Sequence, residues 1–261
     1  MVRLIYNSGG GTFAGAVDVA ALGGAQCVQA ADMDNDGDLD LVAVGNQFNN
    51  ETIAWYENVQ NNTWIDHVVT TDVRWAHTIV VADVDGDGWK DVVCSMAGHE
   101  DRVSWWQNQG AGASFLKKTV SNSVPGAKLI DLADVDGDDD LDCVSAADDE
   151  NTIRWHENVN GLGAFADHVI DASAGGAWAV KLADLDGDDD YDLLAGLYDD
   201  DKVTWYQNDG AGNFAFVADI SYANGVRSVV AADVDNDGDL DALSTAWKDD
   251  TLRLHENYLS C

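Results

Sequence analysis

Five nine-residue stretches concentrate the aspartates of this chain in one recurring order. Each reads Ala-Asp-x-Asp-x-Asp with a further Asp at the ninth position, starting at Asp32, Asp83, Asp134, Asp184 and Asp233. The five ligand sets they offer are Asp32, Asp34, Asp36, Asp38 and Asp40; Asp83, Asp85, Asp87, Trp89 and Asp91; Asp134, Asp136, Asp138, Asp140 and Asp142; Asp184, Asp186, Asp188, Asp190 and Asp192; and Asp233, Asp235, Asp237, Asp239 and Asp241. Carboxylates at positions 1, 3, 5 and 9 and a main-chain carbonyl at position 7 make the all-oxygen shell that a hard cation such as Ca²⁺ prefers, so about one calcium ion is expected per loop. Mg²⁺ fits badly, because it demands a smaller octahedral shell and keeps its waters. An EF-hand would close the shell with Glu at position 12, where this chain has Ala43, Cys94, Ser145, Ala195 and Ser244. Position 6 favours Gly and has it at Gly37, Gly88 and Gly238; Asp139 and Asp189 stand there in the third and fourth loops, and Asp tolerates left-handed backbone better than most residues.

Spacing shows what must position these loops. The intervals are 51, 51, 50 and 49 residues, and a second series keeps step: Trp55, Trp105, Trp155, Trp205 and Leu254, each followed three residues later by Asn58, Asn108, Asn158, Asn208 and Asn257. Each unit reads as four short strands, shown in the second by residues 78–82, 91–94, 102–106 and 115–120, which are apolar and β-branched or aromatic. Glycine turns such as Gly110-Ala111-Gly112, Gly161-Leu162-Gly163 and Gly210-Ala211-Gly212 separate the third and fourth strands. A repeat of this length with four strands marks a propeller blade, so the expected fold is all-β: a single five-bladed β-propeller over residues 1–261, built of four-stranded antiparallel blades. The last repeat lacks a fourth strand, and residues 12–19 are expected to supply it and close the ring. Leu4-Ile5-Tyr6-Asn7 resembles the end of a third strand and so duplicates residues 252–257.

Composition narrows the partners. Against 48 Asp and Glu stand 13 Lys and Arg, a formal charge of -35, which repels nucleic acid and anionic membranes. Acidity of this size fits either bound cations or a high-salt surface, and only the first explains one register held in five copies. No apolar run is long enough to span a membrane, and the first residues lack the pattern of a signal peptide. Cys27, Cys94, Cys143 and Cys261 have no metal-type spacing; buried thiols are the simpler reading, with a Cys27–Cys261 bond as the alternative. Oligomeric state is not legible.

If the Asp loops lie at one face, the opposite links lie together, and there the repeats differ. Six residues before each loop stand Gln26, His77, Lys128, Trp178 and Arg227; the matched positions after the second strand hold Phe48, Gly98, Asp148, Tyr198 and Trp247. Aromatic and hydrogen-bonding side chains gathered on one face suit sugar stacking or peptide capture, the alternative being that they line solvent around the axis. The recurrent Trp series reads as packing between sheets, and His67, His168, His156 and His255 occupy recurrent slots and read as structural. His77 and His99 alone break the pattern. No nucleophile elbow, phosphate loop, zinc motif or spaced carboxylate pair lies outside the loops, so no enzyme is expected.

The Asp-x-Asp-x-Asp loops and the Trp-x-Glu/Gln-Asn strands resemble the FG-GAP or VCBS repeat family, found in integrin α-subunit propellers and in many secreted bacterial and algal proteins. That resemblance spans nearly the whole chain. It implies structural calcium between the first and second strands of each blade, an extracellular setting, and a glycan or an extracellular protein as partner. Some fungal calcium-containing propellers of related repeat type are lectins, which favours carbohydrate; the alternative is an adhesion module that contacts other proteins without sugar.

Overall fold

The computed structural model describes residues 1–45, 51–59, 63–98 and 100–258. Among them there are only strands and connections. A hairpin comes first, β1 (Val2–Gly9) and β2 (Thr12–Ala20). The first repeat follows as β3 (Ala25–Ala31), β4 (Asp40–Gly45), β5 (Thr52–Asn58) and β6 (Trp64–Thr70), and the second as β7 (Ala76–Ala82), β8 (Asp91–Met96), β9 (Arg102–Asn108) and β10 (Phe115–Ser121). The third comprises β11 (Ala127–Ala133), β12 (Asp142–Ala147), β13 (Thr152–Asn158) and β14 (Phe165–Asp171), and the fourth β15 (Ala177–Ala183), β16 (Asp192–Leu197), β17 (Lys202–Gln207) and β18 (Ala215–Tyr222). The fifth has three strands, β19 (Val226–Ala232), β20 (Asp241–Ala246) and β21 (Thr251–His255). Each repeat is an antiparallel meander in chain order, and the first strands of successive repeats lie side by side, a propeller-like arrangement.

Burial follows the expected pattern. The second strands are almost wholly buried, because both faces of the sheet meet a neighbour there, and they read as continuous apolar runs such as Val92-Val93-Cys94. Trp55, Trp105 and Trp155 are buried between sheets, each in a separate core cluster. Close approach explains one glycine per turn: a Cβ on Gly112 would stand 2.3 Å from the Trp55 ring, and one on Gly163 2.2 Å from that of Trp105. Both glycines also have positive φ, so the turn needs them twice over. His67 stacks on Trp55 with ring centroids 4.2 Å apart, and His168 on Trp155 at 4.6 Å. His156 is fully buried between Ser145 and Asp167.

One expectation fails. Residues 12–19 do not complete the last sheet; β2 pairs with β1, and the fifth sheet keeps three strands, with no closed sheet formed among the described residues. Gly9, Gly10 and Gly11 all have positive φ and turn β1 directly onto β2, so the local pairing wins over one between distant ends of the chain. The duplicated segments therefore both form strands, Leu4–Asn7 in the hairpin and Leu252–His255 in the last sheet. Cys94 and Cys143 are buried thiols, whereas Cys27 is partly exposed, and the Cys27–Cys261 pairing lies outside the described residues.

Candidate metal loops and the opposite face

The five Asp loops are built by one set of hydrogen bonds. The Ala before each loop pairs with its position 9, as Ala82 does with Asp91, so the loop closes on the last rung of a two-stranded ladder. In the second repeat the Asp91 carboxylate accepts the Val84 N–H at 3.1 Å and the Asn108 N–H at 2.7 Å. Asp83 accepts the Gly88 N–H at 2.9 Å, and Asp87 accepts that of Trp89 at 2.9 Å. The same bonds recur in the first loop through Asp40, Asp32 and Asp36. Asp142, Asp134 and Asp138 make them in the third, Asp192, Asp184 and Asp188 in the fourth, and Asp241, Asp233 and Asp237 in the fifth. Asp139 and Asp189 take φ of 71° and 72°, the left-handed backbone their position requires. Position 4 is left-handed as well, which is why Asn35, Gly86, Gly137, Gly187 and Asn236 stand there.

These bonds point carboxylates inward without neutralising them. Ligand atoms of Asp32, Asp34 and Asp36 lie within 4.8 Å of one another, as do those of Asp83, Asp85 and Asp91, of Asp134, Asp136 and Asp138, of Asp184, Asp186 and Asp188, and of Asp233, Asp235 and Asp241. Asp83 Oδ1, Asp85 Oδ1, Asp136 Oδ1 and Asp186 Oδ1 are buried and accept no hydrogen bond. A buried anion without a donor is costly unless a cation meets it, so this donor set fits a divalent ion. Burial, only partly offset by the two N–H bonds, pushes the Asp91 carboxyl up to about 7 and those of Asp142 and Asp192 up to about 6. Burial and repulsion from neighbouring carboxylates raise position 3 in every loop, at Asp34, Asp85, Asp136, Asp186 and Asp235. Asp38, Trp89, Asp140, Asp190 and Asp239 follow at position 7, each with its N–H held by position 5.

On the opposite face, four of the five varying positions converge. Gln26, His77, Lys128, Trp178 and Arg227 each sit where the first strand slips register against the second, a β-bulge that frees a side chain from the ladder and aims it elsewhere. His77 and Trp178 belong to repeats two apart, yet their rings meet edge-on at 6.2 Å. Lys128, buried, lies 4.8 Å from the Trp178 ring and 3.4 Å from Asp148. The Arg227 guanidinium is 4.6 Å from Trp178, 5.2 Å from Tyr198 and 4.7 Å from Trp247. Burial, then the Lys128 charge, lowers His77 to about 4, so its ring is neutral at neutral pH. Gln26 is not brought to this cluster; it lines a separate groove with Arg3 and Val28. Phe48 and His99 lie outside the described residues.

The FG-GAP-like repeat model matches residues 1–43, 34–94, 83–145, 134–195 and 184–244. The chain belongs to the FG-GAP-like repeat family. No curated protein matches it. Among solved structures, this FG-GAP chain resembles the V. cholerae biofilm matrix protein Bap1 at 18% identity, with a TM-score of 0.53 over 89% of its length and 37% of the other's. It also resembles the Bacillus licheniformis rhamnogalacturonan lyase PL11 (14% identity, TM-score 0.57, 94% of this chain and 54% of that one). A third similar structure is the catalytic domain of the Coprinopsis cinerea GH62 α-L-arabinofuranosidase (11%, TM-score 0.54, 89% and 90%). The FG-GAP chain thus spans roughly a third to a half of the first two, and at these identities the likeness is one of fold.

Two features of the FG-GAP repeat carry more than their spacing reveals. Asn108 donates from Nδ2 to Lys90 O in its own repeat and to Met33 O, 3.0 Å away in the preceding loop. Asn158, Asn208 and Asn257 reach back likewise to Val84, Val135 and Leu185. In the first four repeats the residue before this asparagine faces position 3: Gln107 donates to Asp85, Gln207 donates to Asp186 at 2.5 Å, and Glu57 and Glu157 repel Asp34 and Asp136. The Trp-x-Glu/Gln-Asn periodicity was the available signal, but only the fold shows that it buttresses two loops at once.

Proposed function

We propose that this chain is a calcium-stabilised extracellular recognition module that binds carbohydrate on the face opposite its Asp loops. The calcium part rests on the inward carboxylate oxygens of Asp83, Asp85, Asp136 and Asp186, buried without a donor. Recognition rests on the cluster of Trp178, Tyr198, Trp247, Arg227 and Lys128, where aromatic faces and polar groups from three repeats converge. A biofilm matrix protein and a rhamnogalacturonan lyase among the similar folds are in keeping with a carbohydrate-rich setting. A glycan array run in millimolar calcium and again in EGTA tests the whole reading. Glycans bound only with calcium support it, and no binding in either buffer overturns the carbohydrate part.

Adhesion to protein is the second reading, favoured by apolar side chains that stand exposed on outer strands, Val68 at 63% and Phe216 at 60%. Light scattering across a concentration series in calcium separates the two, because self-association that free sugars leave unchanged belongs to the second.

A further inference from the structure

In a chain this acidic, a guanidinium without a carboxylate is unusual. Nine of the thirteen lysines and arginines stand within 4.0 Å of an acid: Arg3, Arg102, Lys117, Lys128, Arg154, Lys181, Lys202, Lys248 and Arg253. Arg227 does not. Its Nε is buried and has no acceptor, and no other hydrogen bond holds the group among the described residues. Three aromatic rings surround it within 5.2 Å of Cζ. Rings attract the charge and fix its position, but they offer none of the in-plane acceptors that a five-donor fork requires. The position is also the bulged residue at the start of β19, so the strand ladder does not engage its side chain.

We infer that Arg227 anchors the carboxylate of a hexuronic acid unit, with Trp247 as the stacking surface for the sugar ring. This deepens the carbohydrate reading above and rests on it. A planar fork takes a carboxylate through two parallel N–H bonds, which the round, strongly hydrated ammonium of Lys128 cannot do. Trp247 is 64% exposed and stands beside the guanidinium, so a pyranose can cover its face while the acid group reaches the N–H edge. The surroundings limit the charge of the ligand: Asp148, Asp199, Asp200, Asp201 and Asp249 crowd the neighbouring loops. They would repel a phosphate or a densely sulfated chain, yet they are acceptors for sugar hydroxyls. One carboxylate among several hydroxyl donors meets both conditions.

The test uses the full chain in saturating calcium and calorimetric titration with the methyl glycosides of galacturonic acid and glucuronic acid, which carry one carboxylate each, and the methyl ester of each. The acid form of at least one is expected to bind at least tenfold more tightly than its ester, and added NaCl should weaken only the acid. Arg227→Gln should abolish that preference, and Arg227→Lys should restore a minor part of it, since the charge returns without the fork. Trp247→Ala, at an exposed site that folding does not need, should weaken acid and ester alike. Equal binding of acid and ester, or an acid preference that survives in Arg227→Gln, overturns the inference while leaving the carbohydrate reading intact. Absence of binding by these sugars together with an empty glycan array sinks both.

Discussion

The two faces of this molecule obey different rules. On the loop face, five copies repeat the same hydrogen bonds to within a few tenths of an ångström, down to the acceptor atom. On the other, the five matched bulge residues are Gln26, His77, Lys128, Trp178 and Arg227, with no two alike. Strand pairing is the same behind both, so the sheet does not cause the difference. Inward carboxylates must be satisfied in every loop, and that admits one solution. A bulged residue has no ladder bond to keep, so any side chain can stand there. Uniformity therefore marks what holds the fold, and variety marks what is free to recognise.

The contrast breaks most visibly if calcium is removed. EGTA should lower the melting temperature sharply, because each filled loop adds about 2.7 kcal/mol at a hundredfold excess over its dissociation constant. Arg227→Gln and Trp247→Ala should leave that calcium response unchanged in calorimetry; a melting curve indifferent to EGTA would refute the role given to the loops. Next comes Asp91→Ala, which strands two N–H groups in a buried loop and should cost about 3 kcal/mol in urea unfolding. The exposed Asp87→Ala should cost clearly less in the absence of metal.

Smaller still is the junction. Asn158→Ala removes donors to Val84 O and Leu141 O and the acceptor of the Gly163 N–H, at about 2 kcal/mol. Asn58, whose side chain donates to Leu39 O in its own repeat and reaches no earlier loop, should cost about half as much; equal losses would argue against a coupling between repeats. The smallest effect concerns pH. His77 is held neutral in the fold, its pKa lowered from 6.5 to about 4, so the unfolded chain binds the proton first. In saturating calcium the His77 contribution to stability should fall as pH drops from about 6.5 towards 4, and His77→Gln should flatten that part of the curve.

The loops were legible because their acids keep register, and the strands because β-branched runs flank them at fixed distances. What escaped was long-range. Leu4–Asn7 and Leu252–His255 fit the same slot, and a glycine turn, not strand character, decides which one pairs with β2. The sequence marks Arg227 as variable, but its three rings come from β15 and from the links after β16 and β20. Only convergence across repeats makes them neighbours. Position 4 of each loop was equally hidden, since Asn and Gly there look like ordinary turn residues until their φ values are known.

The asparagine series links the repeats into one mechanical chain. From the second repeat on, each side chain bonds its own loop and grips the loop of the repeat before it, so an emptied loop loosens the third strand of its successor and its own hold on its predecessor. Strain in one repeat should therefore be shared with the repeats on either side, as in a chain whose links each hold two others.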